Sequence, residues 1–283
     1  MSRWKSFPHN NSDYLYEGSR LIEFWGDLHR GDCVEIPDAD WVERTLEQAP
    51  LAAPGRFDDD FAALAATIQV VWRYFHSGDF QQAVSLSEKC GQLAHAPANK
   101  AAGVYATYLE PDEAKQQACY QAAIRRAESA IQTLPDDPNS HYFHAFNLGR
   151  YSQSISVITA LSQGIGGKIQ TSLQNALELQ PDHAEAHTAM GMYHAEIINK
   201  VGRMLGKMTY GASAVKALEH FERALELTPN SPIAHIEYAN GLYLLFGDDR
   251  LDEVTDLYVK ASELRPKDAM EKLDVEAALA ELE

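Results

Sequence analysis

Three of the eleven histidines keep a common address. His141, His187 and His235 lie three residues after Pro138, Ala184 and Pro232. His144 follows His141 by one helical turn, and His194 follows His187 by two. Neutral imidazole is a common metal ligand and a ready general base near neutral pH. A regular histidine set is therefore the first place to look for chemistry. A metal needs its donors gathered within about 4–5 Å of one another, whereas equivalent positions on packed helices sit about 10 Å apart. The spacing predicts a ladder of half-buried, hydrogen-bonded rings. A metal-binding or catalytic histidine stripe is the alternative.

Other candidates for chemistry are weaker. Gly164-Ile165-Gly166-Gly167-Lys168 resembles a phosphate loop, but position 162 is Ser where the first glycine belongs, and Ile169 replaces Ser/Thr. A glycine turn between helices is the reading. Cys33, Cys90 and Cys119 form no CxxC pair and are odd in number, which argues against a zinc site or a disulfide framework. Met190, Met192, Met204, Met208 and Tyr210 form a soft apolar set, fit for core filling or for a deformable binding face. No nucleophile sits in a recognisable elbow or family signature. Neither catalytic nor metal-ligating residues are assigned, and no cofactor is implied.

What would position these residues is a repeat. Four times an alanine is followed five residues later by proline: Ala130 and Pro135, Ala176 and Pro181, Ala224 and Pro229, Ala261 and Pro266. Each instance closes one helical pattern before another opens, which is the mark of a helical array. The chain reads as helical from Phe57 nearly to its end, in three parts. Residues 1–56 form an N-terminal helical arm or cap, with a helix expected over Tyr14–His29 and another starting at Asp38. Repeats fill residues 57–267. A capping helix occupies 268–283, with Met270, Leu273 and Ala277 inward and acids on the rest.

The segment with Tyr74, Gly78, Ala83 and Cys90 resembles a tetratricopeptide repeat, whose pattern wants an aromatic, an inter-helix glycine and two small packing residues at those places. The resemblance implies an all-α right-handed superhelix of helical hairpins. Two repeats are over-long: Pro135 to Pro181 is 46 residues and Pro181 to Pro229 is 48, against about 34 for a standard unit. Through the second insertion Ile197, Ile198, Val201, Met204, Leu205 and Met208 keep helical spacing. Residues 198–211 are therefore expected to lengthen both helices of their hairpin.

Lys168–Pro181, the long repeat after it and Ala217–Pro229 make residues from about 110 to 283 similar to the regulator of microtubule dynamics family. That resemblance implies interaction-scaffold roles at microtubules and organelle contacts. No segment like that family's membrane anchor is read in these residues. A weaker likeness is to the helical T component of tripartite periplasmic transporters, which implies export. The first residues show neither an apolar signal core nor a lipid-attachment cysteine.

Charge narrows the function. With 24 Lys+Arg against 41 Asp+Glu the net charge is −17, which repels phosphate backbones and speaks against nucleic-acid binding. No run of about 18 apolar residues exists to insert into a membrane. The expected protein is cytoplasmic and non-enzymatic, a scaffold holding a peptide, a protein segment or a small apolar ligand. First helices of hairpins line the concave groove in the tetratricopeptide pattern. On that pattern the contact stripes are Tyr142, Phe146 and Arg150, then Thr188, Met192 and Glu196, then Ile236, Asn240 and Tyr243. Tyr142, Asn240 and Tyr243 are expected on the open face, and His187 between helices. A structural subunit of a homo-oligomer, associating through the arm or the long hairpins, is the third reading.

Overall fold

The computed structural model describes residues 3–283; Met1 and Ser2, the first residues of the expected arm, lie outside the described residues. The described residues form helices and turns without a strand. The chain divides into two compact units. One takes the chain up to His29, Val34–Ser154 and Asp268–Met270; the other takes Arg30–Cys33, Ile155–Lys267 and Glu271–Glu283.

The first unit holds α1 (Arg20–Glu23), α2 (Trp25–Leu28), α3 (Ala39–Gln48), α4 (Phe61–His76), α5 (Phe80–Ser87), α6 (His95–Tyr108), α7 (Glu113–Thr133) and α8 (Pro138–Gln153). Asp38, Asp60, Asp79, Asp112 and Asp137 each cap a helix by accepting a backbone N–H of its first turn. Such a cap satisfies donors the helix leaves orphaned, and its removal costs about 1 kcal/mol. On α4 one apolar face is buried: Leu64, Ile68, Val71, Trp72 and Phe75. Gly78 turns the chain into α5 with φ +85°, and a Cβ there would lie 2.7 Å from Phe7. The helix expected over Tyr14–His29 is broken instead. Tyr16 (φ 48°) and Gly18 (φ 61°) take left-handed backbone, so only α1 and α2 remain helical there, and Phe24 is exposed.

The second unit holds α9 (Val157–Ser162), α10 (Ile165–Leu179), α11 (Ala184–Val201), α12 (Arg203–Tyr210), α13 (Ala214–Leu227), α14 (Pro232–Phe246) and α15 (Leu251–Glu263); α16 (Ala269–Ala280) begins in the first unit and ends in this one. Each long repeat carries an extra short helix, α9 in one and α12 in the other. The second insertion is therefore helical but does not lengthen both partners. Gly202 (φ +84°) stops α11 and Gly211 (φ +62°) stops α12, because left-handed backbone cannot continue a right-handed helix. Phe221 of α13 fills the centre. Gly191 of α11 and Gly241 of α14 wall it on two sides, where a Cβ would lie 2.7 Å and 2.4 Å from its ring. On α16, Leu273 and Ala278 are buried, but so are Glu271 and Asp274. The acids of that helix are not all outward as the pattern suggested.

Candidate functional site

The ladder histidines belong to the turns. His141 Nε2 lies 2.8 Å from the Pro135 carbonyl, and His187 and His235 lie 2.9 Å from the carbonyls of Pro181 and Pro229. A carbonyl only accepts, so each Nε2 donates and the tautomer is fixed. The preceding alanine completes the device. Ala130, Ala176 and Ala224 are buried, and their carbonyls take the last helical N–H bonds, from Leu134, Gln180 and Thr228. Proline then ends the helix, and the histidine six residues on ties its carbonyl down.

His187 has a second partner. With Nε2 donating, its Nδ1 must accept from His220 Nδ1 at 2.8 Å. Its ring lies between α11 and α13, as expected. Burial holds His187 below the ordinary imidazole range. His220 is lowered to about 4 by burial, then by His187, His194 and Lys216; His194 is lowered to about 4 by burial, then by Lys216. These are neutral packing imidazoles. Among the described residues no three His, Cys, Asp or Glu are grouped to hold a metal ion.

The groove stripes divide between the units. In the first, Tyr142 is 5% exposed rather than on an open face. The Phe146 ring lies 2.3 Å from where a Gly103 Cβ would be, so α8 closes on α6 through that glycine. Arg150 covers the Phe146 ring at 5.9 Å. In the second, Thr188 is buried with its hydroxyl donating to the Ala184 carbonyl. Ile236 is buried against Ala261 and Ala278. Asn240 accepts a hydrogen bond from the Tyr258 hydroxyl at 2.6 Å, and Met192 sulfur sits 3.6 Å from the Gly241 Cβ position. Glu196 pairs with Lys200 at 2.9 Å. Tyr243 is 53% exposed. Spacing places each stripe on one helix face, but the neighbours that cross the face decide its exposure. For Tyr142, Thr188 and Ile236 they close it.

In the first unit the chain supplies its own occupant. Residues 3–11 form no helix and touch α5, α6 and the turn after α4. Trp4 stacks on Tyr105 at 4.0 Å, and its backbone N–H donates to Gln81 Oε1. Lys5 N–H donates to the Tyr105 hydroxyl, and Asn11 Nδ2 to the Ser77 carbonyl. Phe7 fills the space over Gly78. Asp268 reaches His76 Nδ1 at 2.8 Å, both buried. Burial lowers His76, against the hydrogen bond and charge of Asp268. Beneath these segments α6 is buried from His95 to Ala106, Lys100 included.

One constellation that sequence reasoning missed is His95, Asp137 and Ser140. Asp137 Oδ2 lies 2.7 Å from His95 Nε2, and the Ser140 hydroxyl donates to the same oxygen at 3.0 Å. A nucleophile triad needs the acid on Nδ1 and the hydroxyl on Nε2. Here both crowd Nε2, and Asp137 also accepts the N–H groups of Asn139 and Ser140. Burial raises the Asp137 carboxyl, but the His95 contact and these bonds bring it net below its usual value. The group is a helix cap. No spacing links His95 to Asp137, so no sequence signal could have found it. The thiols are quiet: burial pushes Cys33 and Cys90 up to about 11 and raises Cys119, whereas a reactive thiol needs a lowered value.

Residues 98–279 match the family model for Regulator of microtubule dynamics protein 1-3. The chain belongs to this family. A thermophilic TPR protein of Thermus thermophilus superposes with TM-score 0.54 at 18% identity, over 77% of this chain and 99% of its own. At that identity the likeness establishes the fold alone, a tetratricopeptide-type helical repeat. The regulator of microtubule dynamics match opens within α6 and closes within α16. It includes the three ladder turns, both extra helices and the Phe221 slot; the arm and α1–α5 precede it. No helix among the described residues is long and apolar enough to cross a membrane.

Proposed function

We infer that this chain is a cytoplasmic, non-enzymatic scaffold that holds an extended protein segment against the first helices of its hairpins. The family name brings microtubule regulation as the setting for that role. The observation that carries the reading is the arm. A non-helical stretch with aromatic anchors at Trp4 and Phe7 lies on α5, α6 and the turn before α5, with backbone N–H groups held by Gln81 and Tyr105. A surface that takes this segment from its own chain is shaped to take one like it from another protein. In the second unit the corresponding contacts would come from Met192, Glu196, Asn240 and Tyr243, the stripe members not fully buried. Ser/His/Asp groups serve as caps, and the thiols are held protonated, which supports a binding rather than a catalytic role.

The test is photo-crosslinking from position 243 of the untagged protein in its native cell lysate, followed by mass spectrometry. The expected result is one recurrent partner segment, lost on adding Met192→Ala and Glu196→Ala. Crosslinks spread without preference would refute the reading. So would a turnover activity that survives purification and disappears with His187→Ala.

A further inference from the structure

Residues 155–177 and 197–218 contain no Asp or Glu; their charged residues are Lys168, Lys200, Arg203, Lys207 and Lys216. In a chain of net charge −17 this is an isolated basic region. The two stretches meet in the second unit. Gln170 Nε2 donates to the Tyr210 carbonyl at 3.1 Å, and the Tyr210 ring lies 3.3 Å from the Cβ position of Gly166. α12 is thereby seated on the first turns of α10, with α9 just before them across Gly164.

The short helix α12 is amphipathic the wrong way round for a core. Its inner side is Gly206, whose Cβ position lies 3.2 Å from Ile197. At 100° per residue, Met204 and Met208 stand one above the other on the far side, with Leu205 on one flank and Lys207 on the other. Met204 is 79% exposed, Met208 80% and Leu205 52%. On α9, Ile158 is 80% exposed, with Val157 and Leu161 partly so. Arg203 holds the start of α12 by donating to the Leu245 carbonyl, and Lys200 is paired with Glu196. Lys168 and Lys207 are exposed and pair with no carboxylate among the described residues.

We propose that α12 is a surface docking site for an anionic lipid bilayer. Met204, Leu205 and Met208 enter the boundary between headgroups and acyl chains, and Lys207 on their flank meets the anionic headgroups. A helix that lies on a membrane needs outward apolar residues bordered by cations. The acid-free surroundings remove the local repulsion that the rest of the chain would supply. A second copy is the poorer occupant, because a two-fold contact sets this patch against itself and opposes like charges. Eight residues span only about 12 Å. Binding is therefore reversible and depends on both the apolar and the charged contribution. This site is separate from the stripes of the scaffold reading and does not rest on it.

The experiment is flotation of the full chain with vesicles of phosphatidylcholine, with and without phosphatidylserine, alongside solution mass by light scattering. The expected result is binding to the phosphatidylserine vesicles alone, released by salt. Met204→Ser with Met208→Ser abolishes it, and Lys207→Glu weakens it on the order of tenfold. Val259→Ser, on α15, leaves it unchanged. The substituted methionines are exposed, so the melting temperature stays that of the parent. Equal binding to both vesicle types, no binding, or indifference to the double substitution would overturn the proposal. A dimer that falls apart with the double substitution and never floats would instead make this face a contact between copies, and would overturn it too.

Discussion

Adding one methyl group at Gly241 tests whether the Phe221 slot is rigid. The new Cβ would lie 2.4 and 2.5 Å from two ring carbons, about an ångström inside ordinary contact. The ring has little room to yield. A Cβ at Gly191, on another helix, would lie only 2.7 Å from it, and Tyr238 stacks on it at 5.0 Å between centroids. Overpacking of this kind costs about 1–3 kcal/mol. Replacing a mid-helix glycine by alanine returns about 1 kcal/mol through propensity. Gly241→Ala should therefore destabilise by a net of up to roughly 2 kcal/mol. Gly149→Ala is the internal control: it too lies inside a helix, α8, but its Cβ would meet nothing within 4 Å, so propensity alone should stabilise it. Urea unfolding followed by circular dichroism measures both. In a double-mutant cycle Phe221→Leu should relieve the Gly241→Ala strain, with coupling on the order of 1 kcal/mol. Stabilisation by Gly241→Ala equal to the control, or absence of coupling, would refute a rigid slot.

Acid should loosen the second unit before most carboxylates titrate. His194 and His220 are held near 4 when folded and near 6.5 when unfolded, so the unfolded chain takes up protons that the fold refuses. Stability then falls as pH drops from about 6.5 toward 4, with a slope of up to roughly 2.7 kcal/mol per pH unit for two groups. Flat urea midpoints between pH 7 and pH 5 would contradict this. His235→Ala removes the bond to the Pro229 carbonyl and a buried ring. It should cost about 1–3 kcal/mol by urea melt, and an unchanged midpoint would reduce the turn device to a bystander. Trp4→Ala removes the stack on Tyr105 and should raise amide exchange along α6, read by mass spectrometry. Unchanged protection there would mean the arm does not cover that helix.

Local rules carried the sequence reading a long way. Alanine-to-proline spacing marks real helix ends because it combines a buried small residue with a residue that lacks an N–H. The aspartate at 38 announces a helix start for an equally local reason. Legibility stops where neighbours decide. The stripe through Tyr142 and Phe146 is correctly drawn on one face of α8, yet Gly103, some forty residues earlier, lets α6 cover it. Helical spacing runs through the insertion after Ile197, but periodicity is blind to the left-handed turns at Gly202 and Gly211, which set α12 apart. His76 and Asp268 have no pattern in common, and neither do His95 and Asp137.

The bond between His76 and Asp268 also sets a clock. An array of repeats can fold from the ribosome in order, each hairpin settling on the one before. Here the first unit takes in Asp268–Met270, 192 positions after His76. Translation at about 5–20 residues per second separates the two by roughly 10–40 s. For that interval α4 has been made, yet the carboxylate that belongs beside its last residue has not. Completion of the first unit therefore waits until Asp268 has been made. A nascent chain stalled before residue 268 would expose that gap to proteases and chaperones.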